Sequence, residues 1–309
     1  MIEHITFGII IDDIVFPEGE TQMGVLGGGG PQTAWGMAAA LGSGETVGLV
    51  AGIGGDLEPN VLGPMRNAGV DLRGVRITDL PTPRAWQTLE EDGKRRQTWR
   101  VPMETIRPQL ARNLDVLPPE YREARVFHWG VHLSESDWIE FARSLRQQGR
   151  LISLEPFRPP AETPSDEDLR AILAACDVFS PNWEELVQVA GTDDYDAILQ
   201  RFRALGGQVL AVRRGADGAD VWNLPEGRGV RVPAIDTTVV DVVGAGNAFC
   251  GALVARLRDG IDEAACHASV AASYLIEQVG LPASLPNPAD YAHRLDKARA
   301  GRSELRLGG

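Results

Sequence analysis

Short runs of β-branched and aliphatic residues alternate with segments of helical apolar spacing through most of this chain, and that alternation leaves few folds open. The β-like runs are Ile5–Ile11, Thr46–Val50, Val126–Trp129, Leu151–Leu154, Val178–Ser180, Val209–Arg213 and Asp220–Asn223. Between them the spacing predicts helices over Thr33–Leu41, Asn60–Ala68, Ser136–Gln148, Asp166–Ala175, Trp183–Ala190, Tyr195–Leu205 and Asp262–Gln278. Strand and helix in turn is the pattern of a mostly parallel sheet with helical crossovers, because parallel neighbours cannot be joined by a tight turn. A layered α/β core follows. With 309 residues, 43% of them hydrophobic, the chain can fill one large core; it carries no internal repeat or low-complexity linker, so residues 1–309 read as one domain.

One segment breaks the alternation. "RAWQTLEEDGKRRQTWRV", residues 84–101, has no helical period and carries Asp92-Gly93, a strong signal for a two-residue hairpin turn. That turn would set Glu91 opposite Lys94, Glu90 opposite Arg95 and Trp86 opposite Trp99, each pair worth roughly 0.2–1 kcal/mol. A hairpin with both indoles on one face is expected to cover a site or an interface, since they would otherwise stay exposed.

The formal net charge of −13, with no stripe of Lys or Arg, argues against nucleic acid and anionic membrane as partners. No segment reaches the ~20 apolar residues of a membrane helix, and "MIEHITFGIIIDD" lacks the basic leader of a signal peptide. Cys176, Cys250 and Cys266 are odd in number and widely spaced, as expected of buried, reduced thiols in a cytoplasm. His128 and His132 in "FHWGVH" fall at a strand end with no Glu between them, so a helical zinc pair is not expected there.

The chemistry concentrates in "DVVGAGNAFCGALVARL", residues 241–257. After Gly244-Ala245-Gly246, Phe249, Leu253 and Leu257 recur at i, i+4, i+8, and Gly260 ends the run. A helix should therefore open at the glycines, with unpartnered N–H groups and a positive dipole end suited to a phosphate. A dinucleotide GxGxxG would need Gly where Phe249 stands, and a P-loop would need Lys-Ser/Thr where Ala252 and Leu253 stand. Both fail.

Further stretches join this one in a fixed order: "FGIIIDDIVF", "LGGGGPQTAWGMAAALG", "GIGGD", "PTPRAW", "SPNWEEL" and "VRRGADGA". Over essentially its whole length the sequence resembles the PfkB family of carbohydrate kinases. The resemblance implies a ribokinase-like three-layer α/β/α core with a mostly parallel central sheet, and a small β lid inserted from about residues 14–26 and 84–101. It places Asp13, Gly28, Gly29, Gln32 and Thr33 at a small-molecule substrate with hydroxyl groups. It places Asn182, Glu185, Arg213, Gly215 and Gly218 at ATP and Mg2+, with Glu185 acting on the metal indirectly, and Gly244, Ala245 and Gly246 as the anion hole. Asp241 matches the residue of a monovalent-cation loop, which implies K+. Lids in this family often pair into dimers, so a homodimer through the lid is expected.

Three positions depart from the family pattern. Thr33 stands where many sugar kinases have Asn, Val242 where Thr is usual, and Asn247 where the family has its catalytic Asp. "GIIIDDIVFPEG", "LGGGGPQTAWG", "LEPFRPP" and "GAGNAF" are similar to the maintenance-of-killer branch, which also carries Asn at that position. Asn247 can accept a hydrogen bond from a hydroxyl but cannot hold its proton near neutral pH. Glu155, in "LEPFR", is the first carboxylate to consider as a replacement base, against an ordinary pairing with Arg158. Three functions stay open on the residues: a slow or rearranged kinase for a sugar, nucleoside or polyol, a nucleotide or sugar binder without turnover, and another reaction on a phosphorylated ligand.

Overall fold

The computed structural model describes residues 1–90, 95–135 and 137–308. The N-terminal half carries β1 (His4–Phe7), β2 (Ile10–Val15), β3 (Thr21–Gly27), α1 (Gly29–Leu41), β4 (Val47–Gly54), α2 (Gly63–Asn67), β5 (Val75–Thr78), β6 (Arg84–Leu89), β7 (Arg95–Trp99) and α3 (Met103–Ile106). Then come β8 (Val126–Val131), α4 (Asp137–Gln147), β9 (Leu151–Pro156), α5 (Asp166–Ala174), β10 (Val178–Phe179), α6 (Trp183–Ala190), α7 (Tyr195–Ala204), β11 (Val209–Arg213), β12 (Ala219–Asn223) and β13 (Arg228–Val232). The chain closes with α8 (Ala245–Arg256), α9 (Ile261–Leu275), α10 (Pro288–Gly301) and β14 (Ser303–Arg306).

Ten strands form the central sheet, in the order β14-β13-β12-β11-β10-β9-β8-β1-β4-β5. Pairing is parallel from β5 to β11 and antiparallel from there to β14. On β8, Phe127, Trp129 and Val131 pack into one apolar cluster with residues of α4 to α7, while Val126 belongs to a second cluster with α1, α8 and α9. Two helical layers therefore cover the two faces of the sheet, and the alternation of side chains along each strand assigns each residue to a layer. His128 and, on β9, Ser153 and Glu155 fall on the face of α8.

The run expected as one strand over Ile5–Ile11 is two. Gly8, at φ +89°, breaks it: β1 stays in the central sheet between β4 and β8, and β2 leaves for a second sheet of order β3-β2-β6-β7. A side chain at Gly8 would be strained in that left-handed conformation.

The hairpin β6–β7 exists, but one residue out of the expected register. Ala85 pairs with Trp99, Trp86 with Thr98 and Gln87 with Gln97. A one-residue slip inverts every side chain, so Trp86 and Trp99 lie on opposite faces. Parallel pairing of β6 on β2, which buries Ala85 and Gln87, outweighs the turn signal. Glu90 pairs with Arg96 at 3.4 Å instead of Arg95. The expected turn at Asp92-Gly93 and the pair Glu91–Lys94 lie outside the described residues.

Helices α1 and α8 are apolar all round and buried, as expected of helices enclosed by other elements. They cross at glycines. A Cβ on Gly36 would fall 2.3 Å from the carbonyl oxygen of Ala248, and one on Gly251 would fall 2.2 Å from that of Thr33. This backbone-to-backbone approach brings the N-terminal ends of the two helices together.

Candidate active site

The α8 N-terminus opens on Gly244, at φ +90°, and no side chain caps it. Its first amides are left to solvent or a ligand, with the positive end of the helix dipole behind them. A Cβ on Gly244 would lie 2.4 Å from the carboxamide carbon of Gln32, which has come over from α1. Gln32 in turn accepts a hydrogen bond at Oε1 from Asn247 Nδ2, at 2.6 Å. That leaves Asn247 Oδ1 facing Gly29, 3.5 Å from where a Cβ there would stand. Thr33 is fully buried in the helix crossing.

Beside this turn lies a buried charge cluster. Arg213, at the end of β11, sits with Nη1 where a Cβ on Gly246 would be, 1.9 Å from that position. Its Nη2 donates to the Ser180 carbonyl at 2.8 Å and lies 3.3 Å from Glu155 and 3.4 Å from Glu185. Glu185 is fixed by a capping box: its carboxylate accepts from the Asn182 amide at 2.7 Å, and Asn182 Oδ1 accepts from the Glu185 amide at 2.8 Å. Burial pushes Glu185 up, against the pull of Arg213. Burial acts upward on Glu155 too, yet Arg213 and His128 hold it below the usual carboxylate range.

Glu155 is thus an ionised, enclosed partner of Arg213, and the expected pairing with Arg158 is absent: Arg158 Nε donates to His132 Nε2 at 2.9 Å. A buried carboxylate held ionised by a guanidinium is a weak proton acceptor.

Arg213 also borders a cleft of about 360 Å³, together with Asn182, Trp183, Glu184, Arg214, Gly215 and Asp217. The Arg214 guanidinium stacks on Trp183, 4.4 Å from the ring centroid, and pairs with buried Asp220 at 3.1 Å. Gly215, at φ +58°, belongs to the cleft wall; Gly218, whose Cβ would lie 2.0 Å from the Val232 carbonyl oxygen, closes the loop against β13.

The profile of the pfkB family carbohydrate kinases matches residues 2–288. The chain belongs to the PfkB family. The ATP-dependent ribose-1-phosphate kinase of Halopiger xanaduensis is 30% identical over 259 residues, covering 81% of each chain. The cytidine kinase of Thermococcus kodakarensis is 25% identical, covering 82% of this chain and 88% of its own length. Among solved structures, Giardia lamblia ribokinase superposes with a TM-score of 0.76 at 19% identity over 96% of this chain and all of its own. Arabidopsis thaliana ribokinase complexed with ribose and ATP gives 0.71 at 21%, over 95% and 98%. The fold is therefore ribokinase-like.

Within this PfkB chain, the two acidic residues of β2 point to opposite faces of the second sheet. Asp13 is buried, accepts from the Gly24 amide at 2.8 Å, and is paired with Arg100, whose guanidinium stacks on Trp86 at 4.8 Å. Asp12 lies over Gly27 and accepts from Gln87 Nε2 at 2.7 Å; burial pushes its carboxyl up to about 6. Asp241 accepts from the Val243 amide at 2.9 Å while its Oδ2 is buried without a hydrogen-bond partner, and burial raises it too.

Two residues escaped the sequence reading. Arg95 was expected to pair with Glu90, yet from the start of β7 its charge acts on Asp12, Glu185 and Asp241, which belong to three separate parts of the chain. Gln87 had no part in that reading, and it carries the hydrogen bond to Asp12. Strand alternation could have exposed Gln87, but nothing in the sequence places Arg95 over distant carboxylates.

Proposed function

We propose that this chain is a PfkB-type kinase that transfers a phosphoryl group from MgATP to a hydroxyl of a sugar, nucleoside or related polyol, slowly and without a side-chain base at residue 247. The observation that carries this reading is the uncapped α8 N-terminus with Arg213 against Gly246, at the edge of the cleft lined by Asn182 and Gly215. Bound MgATP supplies the phosphoryl group. The amides after Gly244 and the Arg213 guanidinium hold its charge, and in phosphoryl transfer positioning and charge stabilisation supply most of the barrier reduction. Asn247 Oδ1, with its amide nitrogen already bound to Gln32, orients the acceptor hydroxyl by accepting from it. The proton then leaves to solvent or to the phosphoryl oxygens.

The free Oδ2 of Asp241 fits a monovalent cation, K+ being the family's choice. Glu185, bound to its own helix cap and to Arg213, fits an indirect part in holding Mg2+. The second sheet serves as the lid, Arg95 bringing its positive charge toward the phosphates, and Asp13 with Arg100 and Trp86 meets the acceptor. The edge strands β3 and β7, with Met23 exposed, offer the face for a homodimer. The names of the relatives put sugar phosphates and nucleosides first among acceptors.

A coupled ADP-release assay with MgATP over ribose 1-phosphate, ribose, fructose, cytidine and adenosine tests the reading, beside calorimetric titration with ATP. Slow, acceptor-dependent ADP release is expected. Binding of ATP with no release on any acceptor would favour a second reading, a nucleotide or sugar binder, for which an amide at residue 247, unable to hold a proton near neutral pH, speaks. No ATP binding at all would refute both.

A further inference from the structure

His128, Glu155 and Cys250 come from β8, β9 and α8, and their donor atoms all lie within 4.8 Å of one another. All three side chains are buried. His128 Nε2 is 3.6 Å from Glu155 Oε1, and Cys250 Sγ is 3.5 Å from Glu155 Oε2. The three donor atoms are close enough together to reach one ion through bonds of about 2.0–2.3 Å.

A second observation points to a ligand. His128 is 1% exposed, its Nδ1 is bound to Ser153 Oγ at 2.9 Å, and its Nε2 has no hydrogen-bond partner among the described residues, standing 3.6 Å from Glu155 Oε1. The gap between Nε2 and the carboxylate takes either a proton on Nε2 or a cation, and a cation there satisfies both groups. Each of the three side chains also has the outer partner typical of a built metal site: Ser153 on His128, Arg213 at 3.3 Å on Glu155, and Ser180 Oγ at 3.3 Å on Cys250.

Charge agrees. Glu155 and Glu185 share the single guanidinium of Arg213, which leaves one buried negative charge in excess. A dication that displaces the thiol proton, leaving Cys250 as thiolate, brings the whole cluster to neutrality.

We propose that His128, Glu155 and Cys250 form a zinc-class site, filled as the chain folds, that ties the ends of β8 and β9 to the helix carrying the anion turn. Mixed nitrogen, oxygen and thiolate donors select zinc or cobalt over magnesium. The site is separate from the Mg2+ of the proposed reaction and stands whether or not the chain is a kinase.

The test begins with unmodified protein, purified without chelator or histidine tag and analysed by plasma mass spectrometry. One zinc per chain is expected, retained through gel filtration, and EDTA should lower Tm. Cobalt-loaded protein should show a near-ultraviolet thiolate-to-cobalt band that Cys250→Ser abolishes and that Cys176→Ser and Cys266→Ser leave intact. Protein that holds no stoichiometric metal after refolding with zinc, and whose Tm ignores EDTA, overturns the proposal. So does an NMR signal showing His128 as a charged imidazolium at neutral pH, since a proton then fills the gap. The metal analysis of the unmodified chain decides the matter even where a variant fails to fold.

Discussion

Asn247 donates to Gln32 across 215 residues of chain, at 2.6 Å, and that bond fixes the direction in which the Asn247 carboxamide points. Its Oδ1 lies beside Gly29, able to accept from a ligand hydroxyl. The position can orient a hydroxyl and cannot take its proton.

Replacing Asn247 by Asp restores a proton acceptor in the same place, with Gln32 able to turn its amide and donate instead. A general base contributes ~10²–10⁴ in rate, so Asn247→Asp should raise kcat by up to that range and leave the KM for ATP nearly unchanged. Steady-state ADP release at saturating MgATP measures both. An Asp variant no faster than the natural protein would mean that the proton already has another acceptor.

Arg213 is the single guanidinium shared by Glu155 and Glu185. Arg213→Ala should cost about 3–5 kcal/mol, the usual penalty for stranding a buried charge, and Arg213→Lys less. Urea unfolding gives the number. Combining Arg213→Ala with Glu155→Gln should recover part of the loss, because one of the two stranded charges is then gone.

Glycines around the turn should separate folding from function. Gly246→Ala places a methyl 1.9 Å from Arg213 Nη1, so the guanidinium must move, with a cost of about 1–3 kcal/mol and weaker ATP binding. Gly29→Ala meets only Asn247 Oδ1, at an ordinary 3.5 Å, and should fold normally. Its methyl narrows the space where the acceptor hydroxyl belongs, so KM for the acceptor should rise while calorimetric ATP affinity holds.

Asp12 titrates at about 6 in the folded chain, raised by burial from 3.8. The folded state then holds this proton more tightly than the unfolded state, so stability is greatest below pH 3.8 on this account and falls as pH rises to about 6. Asp12→Asn removes that loss, with Gln87 Oε1, buried without a partner, ready to accept from the new amide. The variant should be more stable than the natural protein by on the order of 3 kcal/mol above pH 6, and by little below pH 4. Paired urea titrations across that range check the crossover.

Much of the architecture was legible in the letters. Hydrophobic period distinguishes a strand from a helix because it reflects which side of an element faces the core, and that is local information. The mostly parallel character of the sheet and the helix opening at Gly244 rest on such local patterns, whereas the order of the strands joins residues as far apart as His4 and Val126. The hairpin register was misread because the Asp-Gly signal is local, while the burial of Ala85 and Gln87 against β2 is not.

The sequence by itself determined the family, the layered α/β core and the loss of an acid at residue 247. Tertiary structure alone decided what surrounds that residue. Glycine contacts between α1 and α8 bring Gln32 to Asn247, Arg213 rather than Arg158 takes Glu155, and His128 comes to lie beside Glu155 and Cys250. The physical reason is common to all three: a buried charge or amide is satisfied by whichever partner the packing brings within about 3 Å, and packing joins residues by shape rather than by distance along the chain.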